Sequence, residues 1–258
     1  EFDITGLVQS GRTHTLSVRV FRYCDGSYME SQDMWWLSGI QRDVTLFSKP
    51  AAAHVWDYKV TTNLVPGTNN ESDAELSLQV QVHSHLSPPA QLADYRVRAT
   101  LLGPHALDPG GEAAVPPEDC PTPMKDAPVI LVPVADDVHQ QSGGKDSPSA
   151  VCLGQLKRTM RSVRPWTAET PWLYTLVLVL EGKGGECVDV EVCRVGMRTV
   201  AVTGGELKVN GEVIEVCGVN RHEHDDRKGK FCDRASMVTD ICLMKQLNFN
   251  AVRASHYP

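Results

Sequence analysis

Apolar and polar positions alternate through much of the first two hundred residues. Leu16, Val18 and Val20 enclose Ser17 and Arg19, and Leu76, Leu78, Val80 and Val82 enclose Ser77, Gln79 and Gln81. Tyr95, Val97, Ala99 and Leu101 repeat the pattern, as do Leu176, Leu178 and Leu180, and then Val188, Val190 and Val192. A period of two places one face of a strand in a core and the other in water. The segment 51–199 is predicted to hold some seven such strands, and an antiparallel sandwich of immunoglobulin-like size is the natural arrangement. Between Pro104 and Pro128 the chain carries seven prolines, and Ser142–Pro148 is rich in glycine and serine. Neither stretch can supply a regular ladder, so 104–149 is expected to be an insertion around one short strand, Val129–Val134.

The pattern changes after Gly204. Leu207–Val209, Asn210-Gly211 and Val213–Val216 form a hairpin signal, because Asn-Gly suits the two positive φ angles of a type I′ turn. A strand then runs into Gly218–His222. Asp233 can cap a helix with an apolar stripe of Met237, Val238, Ile241, Cys242 and Met244, leaving Thr239, Asp240, Lys245 and Gln246 outward. The helix should end near Leu247, and Phe249–Arg253 reads as a second strand. Strand, helix, strand within so short a span is a βαβ unit, which requires a parallel pair.

Composition narrows the class. The 258 residues are 41% hydrophobic and 22% charged, with a formal net charge of −7. That balance gives no electrostatic reason to expect nucleic acid or an anionic membrane as partner. No apolar run reaches the roughly 18–20 residues of a membrane span. The eight cysteines contain no Cys-x-x-Cys pair and are read as buried thiols, pointing to a cytoplasmic protein. The chain opens on Glu1 and stops at Pro258 just past a strand, so both ends are expected to be internal to something longer.

In parallel sheets, ligands gather at the carboxyl ends of strands. Asn220, Arg221, His222, Glu223 and His224 follow the first strand of the βαβ unit, and Arg253, Ser255, His256 and Tyr257 follow the second. Together they make a candidate site, against the plainer reading of solvated loop residues. Zinc is disfavoured, because His222-x-His224 has no second ligand cluster or His-Glu-x-x-His helix. Ser255 beside His256 lacks a Gly-x-Ser-x-Gly elbow, and no glycine-rich phosphate loop exists. Upstream, Asp25–Ile40 joins carboxylates to Trp35 and Trp36. Aromatic faces and acid acceptors suit a sugar ring, although a core tryptophan among solvated acids fits the same composition.

These segments resemble the large bacterial type of β-galactosidase in glycoside hydrolase family 2. Asp25-Gly-Ser-Tyr, Asp33-Met-Trp35 and Ser38-Gly-Ile-Gln-Arg42-Asp-Val resemble the end of that family's jelly-roll sugar-binding domain. Trp166-Thr-Ala-Glu-Thr-Pro-Trp-Leu-Tyr174 resembles its immunoglobulin-like domain. Gly218–His224, Met237–Ile241 and Asn250–Pro258 resemble the opening of its TIM barrel. The resemblance implies a mainly β, multidomain chain: 1–50 the C-terminal part of a jelly roll, 51–199 an immunoglobulin-like sandwich, and 200–258 the first strands of a (β/α)8 barrel.

It also implies roles. Asp33 corresponds to an aspartate that accepts galactosyl hydroxyls and helps hold sodium, and His222 and His256 to histidines lining the galactosyl pocket. Arg253 corresponds to the arginine that orients the catalytic nucleophile, a task suited to a fixed guanidinium fork. A retaining glycosidase needs two carboxyl groups about 5–5.5 Å apart. The family supplies both glutamates, and its magnesium ligands, from outside the segment that ends at Pro258. Glu223 corresponds to no catalytic group, so this stretch alone is expected to be inactive. A homotetramer is the family's usual assembly. The competing expectation is a non-catalytic carbohydrate-binding or assembly module. A β-glucuronidase fits less well, because the wording around Asp33 and Asn220–His224 follows the galactosidase branch.

Overall fold

The computed structural model of the chain describes residues 2–30, 35–66, 72–86, 92–105, 130–133 and 150–256. They fall into two compact units, one of 48–215 and one combining 1–47 with 216–258.

The 48–215 unit contains β1 (His54–Pro66), β2 (Ser72–Ser84), β3 (Arg96–His105), β4 (Ile130–Pro133), β5 (Ala150–Val163), β6 (Leu173–Glu181) and β7 (Cys187–Val195). They form two sheets, β1-β2-β5 and β4-β3-β6-β7, with every pairing antiparallel. The alternation in β2, β3 and β6 has the expected consequence. Leu76, Leu78, Val80 and Val82 of one sheet and Val97, Leu101, Leu176, Leu178 and Leu180 of the other are buried in a single core. Each such side chain contributes about 1.5–3 kcal/mol on leaving water. At the start of β6 the hydroxyl of the buried Tyr174 accepts a 2.9 Å hydrogen bond from the Arg164 amide, which fixes the corner before the strand.

Strand β7 departs from expectation. Val190 and Val192 are exposed, whereas Asp189 and Glu191 are half-buried and pair with Lys49. Asp189 also accepts the Val55 amide of β1 at 2.9 Å. An ammonium group and an unpaired amide at the sandwich edge require carboxylates on that side, and this demand overrides the valine alternation.

A three-stranded meander completes the unit: β8 (Val200–Thr203), β9 (Glu206–Val209) and β10 (Glu212–Val213). Asn210 and Gly211 turn the hairpin with φ of 54° and 88°, as Asn-Gly predicts. Asn210 also ties the turn down. Its side-chain oxygen accepts the Thr199 amide at 3.0 Å and its amide donates to the Trp166 carbonyl at 2.9 Å.

In the other unit, β11 (Gly218–Arg221) and β12 (Ala251–Ala254) run parallel, in register from Gly218 opposite Ala251 to Arg221 opposite Ala254. Between them lies α1 (Arg234–Gln246), whose cap Asp233 accepts the Ser236 amide at 2.8 Å. The strands approach closely at their start. A methyl on Gly218 would lie 3.0 Å from the Ala251 side chain and carbonyl oxygen.

Several expectations fail here. No strand forms at Leu16–Val20, whose three apolar side chains are exposed, because a ladder needs a neighbouring strand and no described residue pairs with this segment. Trp35 and Trp36 are each 60% exposed, so neither is a core tryptophan. Of the six cysteines described as free thiols, Cys24, Cys187 and Cys217 are exposed and only Cys232 is buried, so the reading of all as core thiols is corrected. Asp240 does not face away from the helix's partner; it pairs with Arg221 of β11 at 2.7 Å.

Candidate functional site

The parallel register of β11 and β12 brings their two polar tips side by side. Asn220 lies opposite Arg253, and the Ser255 amide donates to the Arg221 carbonyl at 2.9 Å, extending the pairing past both strand ends. From this frame the Arg253 guanidinium reaches Asn220 Oδ1 at 3.5 Å, Ser255 Oγ at 3.2 Å and His256 Nδ1 at 3.3 Å. His256 stands edge-on to His222, with ring centroids 6.1 Å apart and planes at 87°. Arg253, His222 and His256 therefore converge, as their positions predict. Asp33 and Tyr257 lie outside the described residues.

A column of rings continues from His222. His224 stacks on it at 5.6 Å and 12°, and Trp35 stacks on His224 at 4.6 Å and 14°. Burial, reinforced by neighbouring His222 and the Lys230 ammonium, holds the His224 imidazole below its ordinary value, so it is uncharged at neutral pH. His222 Nδ1 and His224 Nε2 are buried with no hydrogen-bond partner among the described residues.

A chain of ion pairs braces the same loop. Asp240 of α1 pairs with Arg221, Arg221 lies 3.8 Å from Glu223, and Glu223 also pairs with Arg42. Glu223 is thus spent on two arginines rather than offered to solvent. Asp225 accepts the amides of Arg227 and Lys228 at 2.9 Å each, which holds its carboxyl low. Among the described residues no three His, Cys, Asp or Glu side chains gather as a metal site. Within the His222–Asp226 run, Glu223 and Asp225 are both engaged in these contacts.

Sequence reasoning finds the strand-end residues because their placement follows from a local βαβ pattern. It misses both partners supplied from far upstream, Trp35 for His224 and Arg42 for Glu223. Arg42 and Glu223 are 181 positions apart, and no periodicity links them. The adjacent tryptophans are the only signal that could have been followed.

Three family models match successive stretches of the chain: the sugar binding domain of glycosyl hydrolases family 2 at 1–50, a further domain of glycosyl hydrolases family 2 at 130–198, and the family's TIM barrel domain at 200–258. The chain belongs to glycosyl hydrolases family 2. This family 2 chain is 36% identical to a β-galactosidase of Priestia megaterium and 38% identical to one of Vibrio vulnificus, in each case along its whole length. A protein of Enterobacter cloacae named β-galactosidase 2 is 39% identical. The chain spans 22% of the length of each of these relatives. Among solved structures it is similar to the β-glucuronidases of Bifidobacterium dentium (22% identity, TM-score 0.56, 81% of this chain and 28% of that one) and Lactobacillus rhamnosus (23%, 0.53, 81% and 26%). At those identities the likeness is one of fold. No helix among the described residues is long and apolar enough to cross a membrane.

Proposed function

We propose that the chain is part of a retaining β-galactosidase that removes terminal β-D-galactose, and that it contributes the binding wall of the site rather than the reacting carboxyls. The observation that carries this reading is the convergence of His222, Arg253 and His256 on adjoining ends of two parallel strands. The names of its relatives favour galactose over other sugars. His222 and His256 supply hydrogen bonds to galactosyl hydroxyls, which strengthen as the sugar distorts toward an oxocarbenium-like state. Arg253 orients the nucleophilic carboxylate. Asp33 accepts hydroxyls and shares in holding sodium; Trp35, two positions later in sequence, stacks on His224, which supports a contribution from that stretch.

The same reading assigns 1–50 to the end of a jelly roll, 51–199 to an immunoglobulin-like sandwich and 200–258 to the start of a TIM barrel. The seven strands in two sheets and the corner at Tyr174 support the second assignment, and the parallel βαβ unit supports the third. Magnesium, a homotetrameric assembly and a cytoplasmic setting belong to the whole enzyme under this proposal.

The test is made on the natural protein that contains the chain, assayed with nitrophenyl β-galactoside and nitrophenyl β-glucuronide. Turnover of the galactoside, with a loss of about tenfold or more in kcat/KM for His222→Ala and for His256→Ala, is the expected result. Preference for the glucuronide would replace the substrate assignment, and unchanged kinetics in both variants would remove the histidines from the site. Hydrolysis by the 258-residue chain alone, abolished by Glu223→Gln, would overturn the assignment of the reacting carboxyls.

A further inference from the structure

A histidine that must present one nitrogen to a ligand usually has its ring fixed by a hydrogen bond at the other. His222 lacks that device among the described residues, since its buried Nδ1 meets no partner there. What its ring does have is a nearly parallel neighbour, His224, at 5.6 Å, and an edge-on one, His256. His224 is itself stacked with the Trp35 indole at 4.6 Å and 14°. Offset parallel rings resist tilting out of plane, because tilting either one loses contact where the rings adjoin. The next residue along the chain, Glu223, is held by Arg42 and Arg221, so the backbone between the two histidines is braced as well.

We propose that His224 is a positioning residue, held in a clamp of stacked rings with Trp35 and His222, whose ring plane sets the orientation in which the His222 imidazole meets a galactosyl hydroxyl. The substrate in this statement rests on the β-galactosidase reading; the clamp does not. His224 has no proton to deliver in this role. Its Nε2 is buried without a partner among the described residues, and a flat apolar ring of similar size serves the same purpose. The clamp also gives Trp35 a task distinct from sugar stacking, since one face of its indole is already taken.

Two measurements test it. In the natural protein containing the chain, kcat/KM for nitrophenyl β-galactoside is measured for His222→Ala, His224→Ala, His224→Phe and the double alanine variant. His224→Ala should lose about tenfold, His224→Phe should recover most of that loss, and the double variant should be no worse than His222→Ala, because residues acting through one another are not additive. A phenylalanine as damaging as alanine would show that the His224 nitrogens matter, and an undiminished His224 effect without His222 would show independent action; either overturns the clamp. The second measurement follows the ring resonances of His222 by NMR in the same natural protein, with its histidines selectively labelled. They should shift in His224→Ala and in Trp35→Ala and return in His224→Phe. Unshifted resonances overturn the clamp whatever the activity. A parent protein inactive on galactosides, with the expected resonance shifts, would leave the clamp standing and remove only the galactosyl hydroxyl.

Discussion

Leu78 of the sandwich is fully buried, whereas Ile241 on α1 is 45% exposed, although the same periodic logic assigns each to an apolar face. The contrast runs through both units. Between 48 and 215 the apolar faces of two sheets close on each other and form one core. In the unit made of 1–47 and 216–258, Leu16, Val18, Val20, Leu243 and Val252 are all exposed, and the described order comes from ion pairs, stacked rings and a capped helix. A hydrophobic pattern fixes which face of an element is apolar; whether that face is buried depends on a partner of matching shape.

The largest test of this contrast is a pair of truncations. Leu78→Ala should cost about 2–5 kcal/mol in denaturant unfolding of the sandwich, through lost contacts and a residual cavity. Ile241→Ala should cost less than about 1 kcal/mol, as expected for a half-exposed site. Equal costs would mean that the helix face is covered in solution.

Acid should separate the units next. Burial, with neighbouring His54 and His85, pushes the His83 imidazole down to about 4, from an ordinary value of about 6.5. Below pH 6.5 the unfolded chain therefore binds a proton that the folded sandwich refuses. Stability should fall as pH drops from about 6.5 toward about 4, by at most about 1.4 kcal/mol per pH unit for this one group. His54, also lowered by burial, acts in the same direction. At the helix cap the sign is that of a carboxylate. The Lys228 ammonium and the Ser236 amide hold Asp233 down to about 2, so its contribution persists until pH falls below about 3.9. Near-ultraviolet and far-ultraviolet circular dichroism followed during acidification should show sandwich packing weakening before the helix does. Replacing His83 with Leu should flatten the upper part of that titration, and an unchanged slope would remove His83 as its source.

A more local test concerns the turn at Asn210. Asn210→Gly keeps the positive φ and the backbone bond to Thr199 but loses the side-chain bonds to the Thr199 amide and the Trp166 carbonyl, at about 1–2 kcal/mol; Asn210→Ala adds backbone strain. Thermal melts of the two variants rank these contributions, and a glycine variant as stable as the parent would show that only the φ angle matters.

The strands and the helix are legible in the sequence wherever local spacing decides them. β2, β3 and β6 follow their alternation, β4 falls within Val129–Val134, and Asp233 caps the helix at the expected position. What escapes depends on groups distant in sequence. Val190 and Val192 face outward because Lys49 and the Val55 amide require acids on the inner side of β7. Asp240 turns toward Arg221 because a guanidinium at a strand end needs a carboxylate. In the candidate site, the placement of His222, Arg253 and His256 at adjoining strand ends follows from the local βαβ pattern. Trp35 and Arg42 do not, since nothing in their spacing names their partners.

The bare α-carbon at Gly218 sets a gauge for everything beyond it. With Ala251 only 3.0 Å from where a methyl would stand, the two strands leave no room there for a side chain, and the register set at that point runs on to the tips that carry His222 and Arg253. One added carbon at the foot of the ladder would act as a wedge, widening the distance between those tips without touching either of them.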